Sequence, residues 1–224
     1  MPEYIEQLIV EGEHQTLDFK FEVSDFRKIA RTLVAFSNTD GGRLLVGVKD
    51  NGSIAGVRSE EEYFMIEGAA KLYSRPEIDF EARNWLVDGR KVMEVIIRPG
   101  KEKPYLAQDE EGHWIAYIRQ GDQNFKAAAL LLEVWKRQKT GQSTTIRFRQ
   151  AEKYLLQYLE QYGSITQSKY RRLAGLSAKQ SGKILVDFIM LGLINIEHRQ
   201  TTINYVLSSG YKRILKESES IIYI

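Results

Sequence analysis

Five positions close together, Ser177, Lys179, Gln180, Ser181 and Lys183, carry side-chain types that read nucleic acid. Lysine can meet guanine edges or phosphate, glutamine can pair with adenine edges, and serine can bond either. Ser177 is a good N-cap, so the group falls at the start of a helix. Behind it Ile184, Leu185, Phe188 and Ile189 supply a packing face. Arg171 and Arg172 precede this helix, within reach of phosphates, and Arg199 lies at a turn between two alternating segments, INIEH and TINYVL, placed to touch DNA backbone or minor groove.

The elements that must position these residues can be read in order. Residues 149–162 form a helix with Tyr154, Leu155 and Leu159 facing inward, and residues 163–166 are a short extended break. Gln167–Leu173 is a short helix, Ala174-Gly175-Leu176 a turn, and Ser177 opens a third helix that runs to about Leu191. A hairpin around Arg199-Gln200 follows. Three helices and then a β-hairpin is the order of a winged helix-turn-helix, whose second paired helix enters the major groove by its N-terminal residues. The same order also serves protein–protein and dimerisation modules. The last residues, ESESIIYI, end in an apolar tip, read as a frayed end or an added strand.

Composition sets the frame. The chain has 224 residues, 43% of them hydrophobic, which supports real cores. There is no cysteine, which removes disulfides, thiolate zinc sites and cysteine nucleophiles together. No apolar run is long enough to span a bilayer, and Met-Pro-Glu-Tyr does not open a signal peptide, so a cytoplasmic protein without a membrane partner is expected. The net charge of +2 is unevenly spread. Residues 1–143 hold 20 Lys/Arg against 24 Asp/Glu, and residues 144–224 hold 12 against 6. A basic C-terminal part behind a mildly acidic body points to a polyanion. Residues 139–145 (KTGQSTT) are small and polar. The chain is therefore divided into residues 1–140, a linker at 141–145 and residues 146–224.

The N-terminal part reads as α+β with a mixed sheet. Residues 3–10 form a helix and residues 16–22 a strand. Ser24 is read as an N-cap with Asp25 in the first turn, and Phe26, Ile29, Ala30, Leu33 and Phe36 recur at helical spacing up to Gly41-Gly42. Leu44, Leu45, Val46 and Val48 make a buried strand in which Gly47 allows close backbone approach. A turn at Asp50-Asn51-Gly52 leads to a second short strand. Residues 60–74 form a helix with Tyr63, Phe64, Ile66, Ala70 and Tyr73 as core candidates. A hairpin joins FEARNWLV to KVMEVIIR, and another turns at Glu111-Gly112 before HWIAYIRQG. Ala127–Lys139 closes this part as a helix.

Glu13, Asp18-Phe19-Lys20, the run Ala35-Phe36-Ser37-Asn38-Thr39-Asp40-Gly41-Gly42, the strand to Val48, Asp50-Asn51-Gly52 and Tyr117-Ile118-Arg119-Gln120-Gly121 together resemble the Schlafen-type, Alba-like domain in its bacterial branch. The resemblance covers residues 10–130. It implies a DNA-binding protein or transcriptional regulator. Lys20 is read as a further nucleic-acid contact, or as the partner of Asp18 on a sheet face. Animal relatives include RNA endonucleases with three acidic residues and a divalent metal. Carried over by motif, these are Glu13, Asp18 and Asp50, with Asp18 standing where glutamate is usual. Three such carboxylates would hold Mg²⁺ or Mn²⁺, both of which prefer oxygen ligands.

Other chemistry finds little support. There is no GxxxxGK[ST] loop and no Gly-x-Ser-x-Gly. His14, His113 and His198 have no ligand spacing. Trp85, Trp114 and Trp135 are read as core or interface aromatics, with base stacking the alternative. The reading is a transcriptional regulator that binds duplex DNA through its winged helix as a homodimer, without a cofactor. The alternatives are a Mg²⁺- or Mn²⁺-dependent endonuclease on RNA or single-stranded DNA, and a non-catalytic protein-interaction adaptor.

Overall fold

The computed structural model describes residues 2–199 and 202–222. The chain divides into two compact units, residues 1–127 and 128–224.

The first unit is built on a four-stranded mixed sheet. Its elements are α1 (Pro2–Glu11), β1 (Leu17–Lys20), α2 (Phe26–Asn38), β2 (Gly42–Val46), α3 (Glu61–Leu72), β3 (Ser74–Arg75), β4 (Phe80–Val87), β5 (Arg90–Ile97), β6 (Leu106–Gln108), β7 (Trp114–Ile115), β8 (Tyr117–Gln120) and β9 (Gln123–Lys126). The main sheet runs β1-β2-β5-β4, with β1 parallel to β2 and the other pairs antiparallel. Alternation sends successive side chains of the central strands to opposite faces. Leu44, Val46, Val95 and Ile97 meet α2 and α3 in one core, while Leu45, Phe19 and Val92 meet Ile5 and Leu8 of α1 in another. The first unit is thus α+β with a mixed sheet, as expected. A small sheet β3-β6-β7 and the hairpin β8-β9 flank α2.

Local chemistry explains the motif around α2. Asp25, rather than Ser24, is the N-cap: its Oδ1 accepts from the backbone N–H of Arg27 (2.8 Å) and Lys28 (3.3 Å). Gly41 leaves the helix at φ +74°, and a Cβ there would lie 2.6 Å from the Ile97 carbonyl oxygen. At Gly47, φ is +90° and a Cβ would lie 2.8 Å from Gly56, so close backbone approach does require glycine.

Several expectations change. The second strand after Asp50-Asn51-Gly52 is a single bridge between Val48 and Ile54. Phe64 is exposed and Tyr63 only partly covered, while Ile66 and Ala70 are buried, because the helical stripe is centred on the smaller residues. The segment HWIAYIRQG is two strands, β7 on β6 and β8 on β9.

The second unit comprises α4 (Ala129–Lys139), α5 (Gln150–Tyr162), β10 (Ser164–Ile165), α6 (Gln167–Ala174), α7 (Ala178–Met190), β11 (Ile194–Arg199), β12 (Thr202–Leu207) and α8 (Tyr211–Ile222). Its sheet order is β10-β12-β11, antiparallel throughout. Leu155, Tyr170, Leu185, Phe188, Ile194 and Tyr205 form its core. Helix α4 packs on α7 and so belongs to this unit, although the sequence reading gave it to the first. Gln200, at the tip of the expected hairpin, lies outside the described residues, as do Tyr223 and Ile224 of the apolar tip. The residues before them continue α8 to Ile222.

Candidate nucleic-acid interface

Helix α7 begins with a complete capping box. Ser177 Oγ accepts from the Gln180 backbone N–H (3.2 Å), and Gln180 Oε1 accepts from the Ser177 backbone N–H (2.9 Å). These two expected contact residues therefore also start the helix that carries them. The box engages only Oε1 of the Gln180 amide, and both residues are exposed. Lys179 and Lys183 are exposed one turn apart on the same helix. Ser181 faces inward instead: it is buried, and its hydroxyl donates to the Ala178 carbonyl (3.1 Å).

Gln180 and Lys183 line a concavity of about 380 Å³ together with Arg147 and Arg149. The sequence reading passed over these two arginines. Their signal was the alternation Ile146-Arg147-Phe148-Arg149, in which Ile146 and Phe148 pack on the core and both arginines are exposed. Asp187 lies in the same concavity. Its Oδ2 takes the Lys183 ammonium (3.0 Å) and its Oδ1 the Arg137 guanidinium (2.8 Å). Arg171 and Arg172 are exposed on α6. Arg199 on β11 is held by Glu197, 2.7 Å from its carboxylate. Burial pushes the His198 imidazole next to it below its ordinary value of 6.5.

In the first unit the motif residues form a bonded knot. Arg119 is buried and gives one guanidinium nitrogen to Asp18 (3.1 Å), and it also donates to the carbonyls of His14 and Leu17. Asp18 is buried as well, and its second oxygen meets Lys20 Nζ at 2.8 Å. Lys20 is thus tied to Asp18 and to the Phe19 carbonyl (2.7 Å). Asn38 bonds three backbone groups, the N–H and C=O of Tyr105 and the C=O of Tyr117. Gln15 joins Asp40, the Arg119 carbonyl and the Gly121 N–H.

This knot does not fit the expected metal triplet. Glu13 accepts from the Phe19 N–H (2.8 Å). Burial, with the Asp18 carboxyl alongside, holds the Glu13 carboxyl above its usual range despite that bond. Asp18 is already neutralised by two cations. The ligand atoms of Glu13, Asp18 and Asp50 do not come together within 4.8 Å as a set. Asp50 is exposed at its turn. Among the described residues the one such cluster is Asp109, Glu111 and His113 on the turn between β6 and β7.

A second surface escaped the sequence reading. Arg27, Arg31 and Arg75 lie over the rings of Tyr73 (5.1 Å), Tyr117 (5.2 Å) and Trp114 (4.0 Å). Among the described residues none of the three meets a carboxylate. Residues 1–127 hold 17 Lys/Arg against 23 Asp/Glu, so three guanidiniums without a carboxylate partner are notable in this acidic body, although Arg27 Nε also donates to the Asp109 carbonyl (3.0 Å). Arg27 and Arg31 stand one turn apart on α2, and Arg75 is on β3.

A mixed-sheet α+β unit joined to a helical unit with a three-stranded sheet defines the class. The profile of the Schlafen, AlbA_2 family matches residues 13–128, more than half of the chain, and the chain belongs to that family. No protein of curated function matches it. Among solved structures, the DIP2311 protein of Corynebacterium diphtheriae is similar at TM-score 0.44 and 17% identity, over 93% of this chain and 43% of that one. The chain therefore spans less than half of that protein's length. The N-terminal domain of a RecG-related protein from Nitrosomonas europaea is similar at TM-score 0.40 and 18% identity, over 52% of this chain and 87% of that one. At these scores the two likenesses add nothing to the family assignment. No helix among the described residues is long and apolar enough to cross a membrane.

Proposed function

We propose that the protein binds duplex DNA through its second unit, folded as a winged helix-turn-helix, and acts as a transcriptional regulator. In this reading α6 and α7 are the helix pair, α7 enters the major groove, and β11-β12 is the wing. Support comes from the order of helices and strands and from the charge of residues 128–224, which hold 15 Lys/Arg against 7 Asp/Glu. The observation that carries the reading is the grouping of Arg147, Arg149, Gln180 and Lys183 around one concavity beside the start of α7. Cations there can anchor the backbone while Gln180 and Lys179 reach base edges. A homodimer would match a near-palindromic site. Membership of the AlbA_2 family supports nucleic-acid binding by the first unit as well. Its Arg27, Arg31 and Arg75 offer charge for that purpose.

The test is fluorescence anisotropy of labelled duplex DNA over a range of salt, with Arg147→Ala/Arg149→Ala as the variant. Wild-type affinity should fall steeply with salt. The variant should bind at least about tenfold more weakly at low salt, with a log–log slope shallower by about 0.9 for each phosphate contact removed. Wild-type protein that fails to shift duplex DNA at low salt, or a folded variant that binds like wild type, would sink the reading.

A further inference from the structure

We propose that Asp187 is a brake on the DNA-binding face, a carboxylate that holds Lys183 and Arg137 back from phosphate and so suppresses sequence-independent binding. The inference rests on the reading of the second unit as a duplex-DNA binder.

Lys179, Lys183 and Asp187 follow one another at one-turn spacing, so they share a stripe of α7. The Asp187 side chain is 9% exposed, and each of its oxygens is taken by a cation. Arg137 reaches it from α4 and also bonds Glu133 (3.0 Å). Lys183, by contrast, is 68% exposed along its side chain and is tethered only at its ammonium. Arg147 and Arg149, in the same concavity, have no carboxylate partner among the described residues. The groove therefore holds two cations without a carboxylate partner, one engaged cation and two acids, Glu152 and Asp187, of which Asp187 is the one that takes a cation of the groove.

An acid placed there opposes the polyanion directly and withdraws the charge of Lys183. Non-specific affinity comes almost wholly from counterion release, so each cation withdrawn lowers it. Hydrogen bonds to base edges do not depend on that charge. An acid in the groove therefore widens the ratio of specific to non-specific binding, at a cost in total affinity. Docking of α4 alone would need only the Arg137 contact at Oδ1. The second engagement, at Oδ2, is an i,i+4 pair with a lysine of the groove's own helix, and it is this pair that withdraws a groove cation.

The experiment uses the full chain and a random-sequence duplex, with Asp187→Asn, Lys183→Ala and the double variant. Asparagine keeps Oδ1 as an acceptor for Arg137, so α4 remains docked. Asp187→Asn should bind about tenfold more tightly at low salt, with a slope steeper by about 0.9 for the freed lysine. Lys183→Ala should cost at least about fivefold more in the Asp187→Asn background than in wild type, removing most of the gain. A folded Asp187→Asn with unchanged or weaker affinity would overturn the brake. So would Lys183→Ala costing as much in wild type as in the variant, and the same comparison in Asp187→Ser decides the matter if Asp187→Asn fails to fold. Wild-type protein that binds no duplex at low salt would instead remove the underlying reading.

Discussion

Arg119 and Asp18 show what a motif does before it does chemistry. A guanidinium and a carboxylate taken wholly from water cost more than their attraction returns unless every remaining group is bonded. Here Arg119 meets that condition with the His14 and Leu17 carbonyls, and it lies over the Phe36 ring at 5.2 Å. Arg119→Met would leave Asp18 buried with only Lys20, a residue at the rim. We expect a loss of about 3–5 kcal/mol in urea unfolding of the first unit. A loss below about 1 kcal/mol would show that the pair is dispensable. Both residues stand in segments that carried the family resemblance, so their presence was legible. Their pairing was not, because nothing in local spacing links two residues about a hundred positions apart. Asp18 and Lys20, two positions apart on one strand, could be read either as site groups or as a pair on the sheet face, and the fold uses them to neutralise one another.

At the scale of elements, periodicity identified most helices and the β4-β5 hairpin, because their apolar faces are long enough to repeat. It failed where an element is short or its partner distant. Strand β9 is four residues, Gln123–Lys126, with one apolar side chain, and the alternation of Arg147 and Arg149 is no longer. Assigning α4 to the first unit was a failure of another kind: amphipathic spacing shows that a helix buries a face, not which body it buries it against. In the β11-β12 hairpin the paired strands carry His198 opposite Ile203. Burial holds its folded-state value below the ordinary 6.5, so the folded strand favours neutral imidazole. The stabilising contribution is complete above that value and is lost as pH falls through the folded-state value. Amide exchange in β11 and β12, corrected for intrinsic rates, should therefore speed up as pH drops from about 7 to about 5, and His198→Gln should flatten the change. Equal pH dependence in the variant would place the responsible proton elsewhere.

For the molecule as a whole, the net charge of +2 conceals two bodies of opposite sign, a net of −6 on residues 1–127 and +8 on residues 128–224. The sequence reading saw this asymmetry but, with its boundary later in the chain, counted the basic last turn of α4 on the acidic side. Which charge a polyanion feels is a question of distance. At physiological salt the screening length is about 8 Å, shorter than either body is wide, so contact is governed by the local surface and not by the total. The isoelectric point near 8.6 turns this into an experiment. At a pH about half a unit above it the chain is net negative, yet lysine and arginine remain charged, since their ordinary values lie above about 10. Duplex affinity at that pH and moderate salt should stay within about threefold of its value at neutral pH. A collapse of more than about tenfold as the total passes through zero would mean that the acidic body reaches the DNA, and that the basic unit does not bind as an electrostatically separate surface.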